Sequence, residues 1–468
     1  MIYGLIGEKL SHSYSKEIHK ELGQEGYGLF EIPPEDLEDF LKSEELGGLN
    51  VTIPYKRAVM PLCDSLSPQA RRIGSVNTLV YDEQRRLRGC NTDYDGFVYM
   101  LKQKRISVKG KKALIFGSGG TSLTARAALQ DLGASEIVVA SRQGGGASMG
   151  GISADCGDVT GGSMKGSPTK TGPMETGLLE TGSMETGPVK TGPMETGGGI
   201  LFIGYDELEM HRDSQILVNA TPVGMYPHCP KAVVDLKDFK DCRAVVEVIY
   251  NPHRTMLALQ AMDLGIPVTQ GLDMLAAQAK AAEELFTGKR ISDQEVERII
   301  RKLGLDRQNL VLTGMPGSGK TAVGAAAAKL LQREFLDIDT FIEQQEGASV
   351  AELFEKIGEE GFRILESEAI HAAGRKTSRV IAVGGGAVLD ENNYFPLKQN
   401  GYILRIERKL EQLATIGRPL SKDLHALKEM YQKRLPHYLR FADGTVENRT
   451  TIEAAAERAV QLFQLAQG

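Results

Sequence analysis

The run Gly314-Met-Pro-Gly-Ser-Gly-Lys320-Thr321 comes directly after a short apolar segment, Asn309 to Thr313, and precedes an alanine-rich helical pattern, Ala322 to Leu331. It satisfies GxxxxGK[ST] in the strand-to-helix setting that the motif requires, which commits this part of the chain to an α/β layer with parallel strands. Gly314, Met315, Pro316, Gly317, Ser318 and Gly319 form a loop whose backbone amides, together with the positive helix N-terminus, suit phosphates. Lys320 is placed to reach the β/γ oxygens and Thr321 to ligate Mg²⁺. The loop by itself says nucleotide and no more.

The phosphate acceptor has to be argued from the residues downstream of the loop. In Phe335-Leu-Asp337-Ile-Asp339 two acids alternate at the end of a predicted strand, and a period of two puts both on one face. One of Asp337 and Asp339 can assist the Mg²⁺ shell while the other accepts a proton from an attacking hydroxyl. Further along come Gly361-Phe362-Arg363 with Glu366, Val383-Gly384-Gly385-Gly386, Gly417-Arg418-Pro419-Leu420 and Arg434-Leu-Pro436-His-Tyr438. In this order the motifs resemble the shikimate kinase family from Asn309 to the end of the chain. The resemblance implies that Arg363 and Arg434 hold the shikimate carboxylate, that Asp339, Gly385 and Gly386 hold ring hydroxyls, and that Arg418 sits on a mobile lid facing ATP. Guanidinium forks suit a carboxylate, and an amide-rich glycine turn suits hydroxyls.

Upstream, Lys112 to Phe116 and Glu136 to Ala140 read as strands bracketing a helix from Thr121 to Leu132, a βαβ unit. Between them Gly117, Gly119 and Gly120 form a variant dinucleotide turn, with Ser122 where a third glycine usually stands. Ser141-Arg142 ends the second strand where NAD enzymes keep an acid, so the arginine favours a 2′-phosphate and hence NADP. Between residues 144 and 199 the composition turns abruptly to Gly, Thr, Ser, Met and Pro, and a five-residue unit recurs as KTGPM, ETGLL, ETGSM, ETGPV and KTGPM. That period matches neither helix nor strand, and the segment is expected to be a disordered insertion. Strands resume at Gln215 to Val218 and Ala244 to Ile249, with helices through Thr255 to Asp263 and Met274 to Phe286.

Leu10-Ser11-His12-Ser13-Tyr14-Ser15, Asn50-Val-Thr52-Ile-Pro-Tyr-Lys56, Val76-Asn77-Thr78, Asn91-Thr92-Asp93, Asn219 to Met225, Tyr250-Asn-Pro252 and Gly271-Leu-Asp-Met-Leu with Gln278 resemble shikimate dehydrogenase. The resemblance spans Met1 to about Gly288 apart from the insertion. It implies that Ser13 and Ser15 bind the substrate carboxylate and that Thr52, Asn77, Asp93, Tyr250 and Gln278 contribute to substrate recognition. Lys56 and Asp93 then form the catalytic pair, and Gly117, Gly119, Gly120, Ser141, Arg142, Met225 and Gly271 line the NADP site. Reduction of a carbonyl calls for such a pair, because the developing alkoxide needs a proton and a neighbouring positive charge. The chain departs from the family at Lys16, usually proline, at Ser141-Arg142-Gln143, and in the helix that the insertion replaces.

A chain of 468 residues is long enough for about three domains. The expected division is a substrate lobe at 1–100 completed by about 246–288, a Rossmann-like NADP lobe at 101–245, a linker at 289–308, and a P-loop kinase domain of the nucleoside monophosphate kinase type at 309–468. A formal charge of -6 gives no reason to expect nucleic acid or an anionic membrane as partner. That balance also disfavours an NTP-driven motor or nucleic-acid enzyme. Five cysteines without CxxC spacing and an N-terminus without a signal-like run point to a cytoplasmic protein. The expected enzyme reduces 3-dehydroshikimate with NADP(H) and phosphorylates shikimate with ATP and Mg²⁺; the alternative is a kinase carrying a non-catalytic dehydrogenase-like module. Oligomeric state is left open.

Overall fold

The structure, a computed structural model, describes residues 1–10, 13–43, 45–142, 199–227, 229–413 and 424–466. The expected insertion, apart from Gly199, and Arg418 lie outside the described residues.

Three sheets succeed one another along the chain. The first contains β1 (Ile2–Gly7), β2 (Gly28–Glu31), β3 (Leu46–Val51), β4 (Ser65–Leu66), β5 (Thr78–Tyr81) and β6 (Leu87–Cys90) in the order β2-β1-β3-β5-β6-β4. β1, β2 and β3 are parallel, whereas β5 runs antiparallel to both β3 and β6. Antiparallel neighbours need only a tight turn, and Asp82 closes the one between β5 and β6 by accepting from the backbone N–H groups of Gln84 and Arg86.

The second sheet is wholly parallel, with β7 (Lys112–Phe116), β8 (Glu136–Ala140), β9 (Ile200–Ile203), β10 (Ile216–Asn219) and β11 (Ala244–Glu247) in the order β11-β10-β7-β8-β9. Ala113 to Phe116 are fully buried because one apolar cluster covers each face. β9 directly succeeds the low-complexity stretch and was not expected from the sequence; Ile200 to Ile203 pair with Ile137 to Ala140.

The third sheet is also parallel, with β12 (Asn309–Thr313), β13 (Glu334–Asp337), β14 (Arg379–Ala382), β15 (Gly401–Glu407) and β16 (Gly444–Glu447) in the order β13-β14-β12-β15-β16. In both parallel sheets the order reverses beside the strand that carries the glycine loop, β7 or β12. Such a switch point opens a crevice at the carboxyl ends of the strands.

The stretch expected as a linker is a packed element. Helix Asp293–Arg307 buries Val296, Ile299 and Leu303 against Ile18, Tyr99 and Leu272 of the N-terminal half. Arg298 and Lys302 both pair with Glu21, and Arg307 pairs with Glu17. The sequence pattern suggests a connection because the outer face is charged, but the apolar stripe has a partner.

Candidate active sites

The first candidate site lies where β3, β5 and β6 meet the helices beyond them. Lys56, in the short helix Tyr55–Ala58, donates to Asp93 Oδ2 at 2.5 Å. Asp93 opens helix Asp93–Gln103, and its other oxygen accepts from Asn77 Nδ2 at 2.9 Å. The same Asn77 amide lies 3.3 Å from Gln278 Oε1, on helix Gly271–Thr287, so residues 201 positions apart meet. Asn77 Oδ1 accepts the backbone N–H of Thr92 at 2.6 Å, which fixes the orientation of the amide. Asn50 supports this group from behind, donating to Thr78 Oγ1 at 3.2 Å and accepting from Tyr27 OH at 2.7 Å.

Of the other expected residues, Ser13 Oγ accepts the backbone N–H of Ser15 at 3.2 Å, which joins the two serines in one turn. Thr52 lies just beyond the end of β3, its N–H donating to Ile6 O and its carbonyl accepting from Tyr55 N–H. Tyr250 lies with its ring 5.0 Å from that of Tyr14, and burial pushes its hydroxyl pKa up to about 12.

The dinucleotide turn borders this cluster. Gly117, at φ +102, passes so close to the β10 loop that a Cβ there would lie 3.0 Å from the Ala220 carbonyl. A Cβ on Gly120 would lie 3.7 Å from Lys56 Cδ, so the turn and the Lys56–Asp93 pair border the same space. Gly119 has an ordinary φ of -78° and nothing within 4 Å of its Cβ position, and no side chain caps helix Gly120–Asp131. Uncapped helix N–H groups beside an open cradle fit a dinucleotide pyrophosphate. Ser141 N–H is held by Ile203 O, Arg142 is exposed next to Tyr205, and Met225 is partly exposed in the loop after β10. Gly271 lies tight against the Val248 and Ile249 backbone, where a Cβ would be 2.1 Å from Val248 O.

The second candidate site surrounds the loop after β12. Gly314, Gly317 and Gly319 all have positive φ, and Gly319 is the uncapped N-cap of helix Lys320–Leu331. Lys320 folds back over the loop, donating to the carbonyls of Gly314 and Met315 at 3.0 and 3.1 Å. Pro316 packs against Gly385, and Ser318 Oγ is buried without a partner among the described residues. Thr321 Oγ1 donates to Asp337 Oδ2 at 2.6 Å. A hydroxyl beside one carboxylate fits Mg²⁺, which takes one or two carboxylates and completes its shell with phosphate oxygens and water.

The two acids do not share a strand face as expected. β13 ends at Asp337, which caps helix Ile338–Glu346 by accepting from the N–H groups of Asp339 and Thr340. Asp339 is therefore in the first helical turn. An aspartate that can satisfy free helix N–H groups stops the strand there, a competition that a period-two pattern does not register. Both acids still reach the site. Burial, reinforced by the charge of Asp337, raises the Asp339 pKa against the pull of Lys320 and Arg363.

Asp339 Oδ1 and Glu366 Oε1 both crowd Gly384, while the Arg363 guanidinium lies against Gly386. Glu366 is wholly buried and pairs with Arg363 Nη1 at 2.5 Å. Arg434 Nη1 donates to Gly385 O at 3.0 Å, and Tyr438 OH donates to the same carbonyl. The triple glycine thus brings Arg363, Arg434 and Asp339 to one place.

Two contributors were given no role from the sequence. Glu366 stands three residues after Arg363, and that i,i+3 spacing was the available signal. Asn448 donates to Ser318 O at 2.8 Å across 130 residues, and nothing local marks it.

Family models match both ends of the chain: the shikimate dehydrogenase substrate binding domain at residues 5–79 and shikimate kinase at residues 316–464. The shikimate dehydrogenase (NADP(+)) of Methanopyrus kandleri is 35% identical over 299 residues, covering 62% of this chain and 90% of the relative. That of Clostridium perfringens is 30% identical over 310 residues, covering 64% and 98%. The chain belongs to the shikimate dehydrogenase family, fused to a shikimate kinase. Among solved structures, shikimate dehydrogenase 1 from Peptoclostridium difficile is 32% identical with a TM-score of 0.50, covering 65% of this chain and 98% of that one. A chorismate mutase/shikimate 5-dehydrogenase fusion from Clostridium acetobutylicum is 31% identical, also at 0.50, covering 64% and 96%. Helix Gly271–Thr287 and its packed successor Asp293–Arg307 precede β12, and the kinase model matches from Pro316 onward. The chain is a bifunctional enzyme of the shikimate pathway.

Proposed function

We propose that the dehydrogenase half reduces 3-dehydroshikimate to shikimate with NADPH, and that the kinase half phosphorylates the 3-hydroxyl of shikimate with ATP and Mg²⁺. The Lys56–Asp93 contact beside Gly120 carries the first assignment. When bound, NADPH supplies a hydride and ATP a phosphoryl group.

In the dehydrogenase half Lys56 delivers a proton to the C3 oxygen as negative charge develops there, and Asp93 holds the ammonium aimed. Ser13 and Ser15 take the carboxylate, and Thr52, Asn77, Tyr250 and Gln278 contribute to recognition of the substrate. Gly117, Gly119, Gly120, Ser141, Arg142, Met225 and Gly271 hold the dinucleotide, with Arg142 on the 2′-phosphate.

In the kinase half the glycine loop and Lys320 would hold the nucleotide, and Thr321 and Asp337 would hold Mg²⁺, Asp337 through water. Asp339 accepts the proton of the attacking hydroxyl, and the burial that raises its pKa strengthens it as a base. Arg363 and Arg434 take the carboxylate beside Gly385 and Gly386, and Arg418, which lies outside the described residues, is assigned to ATP. The substrates are small molecules, with no nucleic acid or membrane as partner, and the enzyme works in the cytoplasm, where both nucleotides are drawn from common pools. No helix among the described residues is long and apolar enough to cross a membrane.

The test measures NADP⁺ reduction by shikimate and ATP-dependent phosphorylation of shikimate on one preparation. Lys56→Ala removes the first and spares the second, and Lys320→Ala does the reverse. No NADP⁺ reduction at saturating cofactor would refute the dehydrogenase assignment.

A further inference from the structure

The segment from Tyr250 to Thr255, which leads from β11 to helix Met256–Asp263, is gripped from the kinase half. The backbone N–H of Arg254 donates to Gln399 O at 2.8 Å, and that of His253 to Asn400 Oδ1 at 3.1 Å. The Arg254 guanidinium donates to Gly401 O at 2.8 Å and to Lys398 O at 3.3 Å. At the far end of the next helix Asp263 accepts both prongs of Arg440 at 2.8 Å and the hydroxyl of Tyr394 at 2.8 Å. Between these two locks Leu259 is buried in the apolar cluster of the kinase. A bidentate fork and a backbone clamp define orientation as well as contact.

The grip falls at the amino ends of two interior strands of the kinase sheet, β12 and β15. Lys398 to Gly401 lead into the start of β15, and Asn400 O accepts the N–H of Asn309 at the start of β12. The phosphate loop extends from the opposite end of β12. The kinase site therefore faces away from the clamp, whereas the clamped segment begins at Tyr250, whose ring meets Tyr14 between Ser13 and Ser15.

We propose that the kinase half buttresses the substrate site of the dehydrogenase half, with Arg254 as a positioning residue that sets Tyr250 against the Ser13–Ser15 turn. The dehydrogenase anchors the segment at Asn251 O, which accepts from Tyr226 N–H, and at Thr255, which donates to Glu247. The backbone N–H groups of His253 and Arg254 lie between these points and are taken up by the kinase. The proposal rests on reading Tyr250 as a contact to the dehydrogenase substrate.

The experiment uses the full chain and three variants, Arg254→Ala, Arg440→Gln and Tyr250→Ala. Losing charge-assisted contacts of this kind raises the KM for shikimate in NADP⁺ reduction about tenfold in Arg254→Ala. The kcat, the KM for NADP⁺ and both kinase constants stay within about twofold, a split that general loss of structure does not produce. Arg440→Gln, which touches neither site, moves the same KM in the same direction, and it decides the matter if Arg254→Ala does not fold. Arg254→Lys recovers part of the loss. If Tyr250→Ala raises the KM for shikimate while Arg254→Ala and Arg440→Gln leave it unchanged, the buttress is overturned and the reading of Tyr250 stands. If Tyr250→Ala leaves it unchanged, that underlying reading fails. Equal loss of dehydrogenase and kinase activity would make the contact a shared structural junction and overturn the proposal.

Discussion

Lys56 Nζ and Asp93 Oδ2 are 2.5 Å apart, and the second oxygen of that carboxylate is occupied by Asn77 at 2.9 Å. Asp93 therefore has a defined orientation with one face given to the lysine. Asp93→Asn keeps the shape and the contact to Asn77 but removes the negative charge. It is expected to lower dehydrogenase kcat by about 10²–10⁴-fold, the range for losing a positioned proton-transfer group. The change in KM for shikimate should be much smaller. Steady-state kinetics with the kinase reaction as internal control checks this.

The glycines of the dinucleotide turn should separate folding from binding. Gly117→Ala forces a side chain into φ +102 and within 3.0 Å of a carbonyl, so it is expected to cost about 1–3 kcal/mol of stability. Gly119→Ala meets no atom within 4 Å and should leave the melting temperature unchanged. Its methyl group would fill the cradle, so the KM for NADP⁺ should rise. Equal melting losses in the two variants would count against this division.

Glu366 supports Arg363 from a fully buried position, and burial raises the pKa of its carboxyl against the opposing charge of the arginine. Glu366→Gln leaves Arg363 without its ionic partner on that side. The kinase KM for shikimate should rise about tenfold, as for loss of a charge-assisted hydrogen bond, while the KM for ATP holds. A rise confined to the KM for ATP would contradict the placement of Arg363 on the acceptor.

Glu247 is wholly buried at the end of β11, and burial pushes its pKa from 4.5 to about 7 despite donors from Asn219, Ile249 and Thr255. An acid raised in the folded state binds its proton more tightly there than when unfolded. Its stabilising contribution is full below about 4.5 and is lost as pH rises to about 7. Glu247→Gln does not ionise, so its stability relative to the parent should improve between about pH 5 and pH 8 by on the order of 1–3 kcal/mol. Thermal unfolding of both proteins at the two pH values measures this, and a constant difference would refute it.

Much of both sites was legible because their chemistry is written in short runs. The strand, glycine loop and helix around Lys320 occupy consecutive positions, and so do those around Gly117; local sterics and unsatisfied helix N–H groups fix such units wherever they occur. Lys56 and Asp93 were also legible, each within its own motif. The sequence alone determined the order of the two enzymes, the glycine turns and the residue types gathered in each candidate site. Tertiary structure alone decided what depends on distant partners. Ile200 to Ile203 become a strand because β8 offers a free edge. Asp339 leaves its strand because Asp337 caps a helix instead. Asn448 reaches the phosphate loop across 130 residues, and helix Asp293–Arg307 packs although its visible pattern is charge. Above all, the grip of Lys398 to Gly401 on Arg254 uses backbone carbonyls. Every residue carries a carbonyl, so no side-chain pattern can announce which ones a folded chain will use.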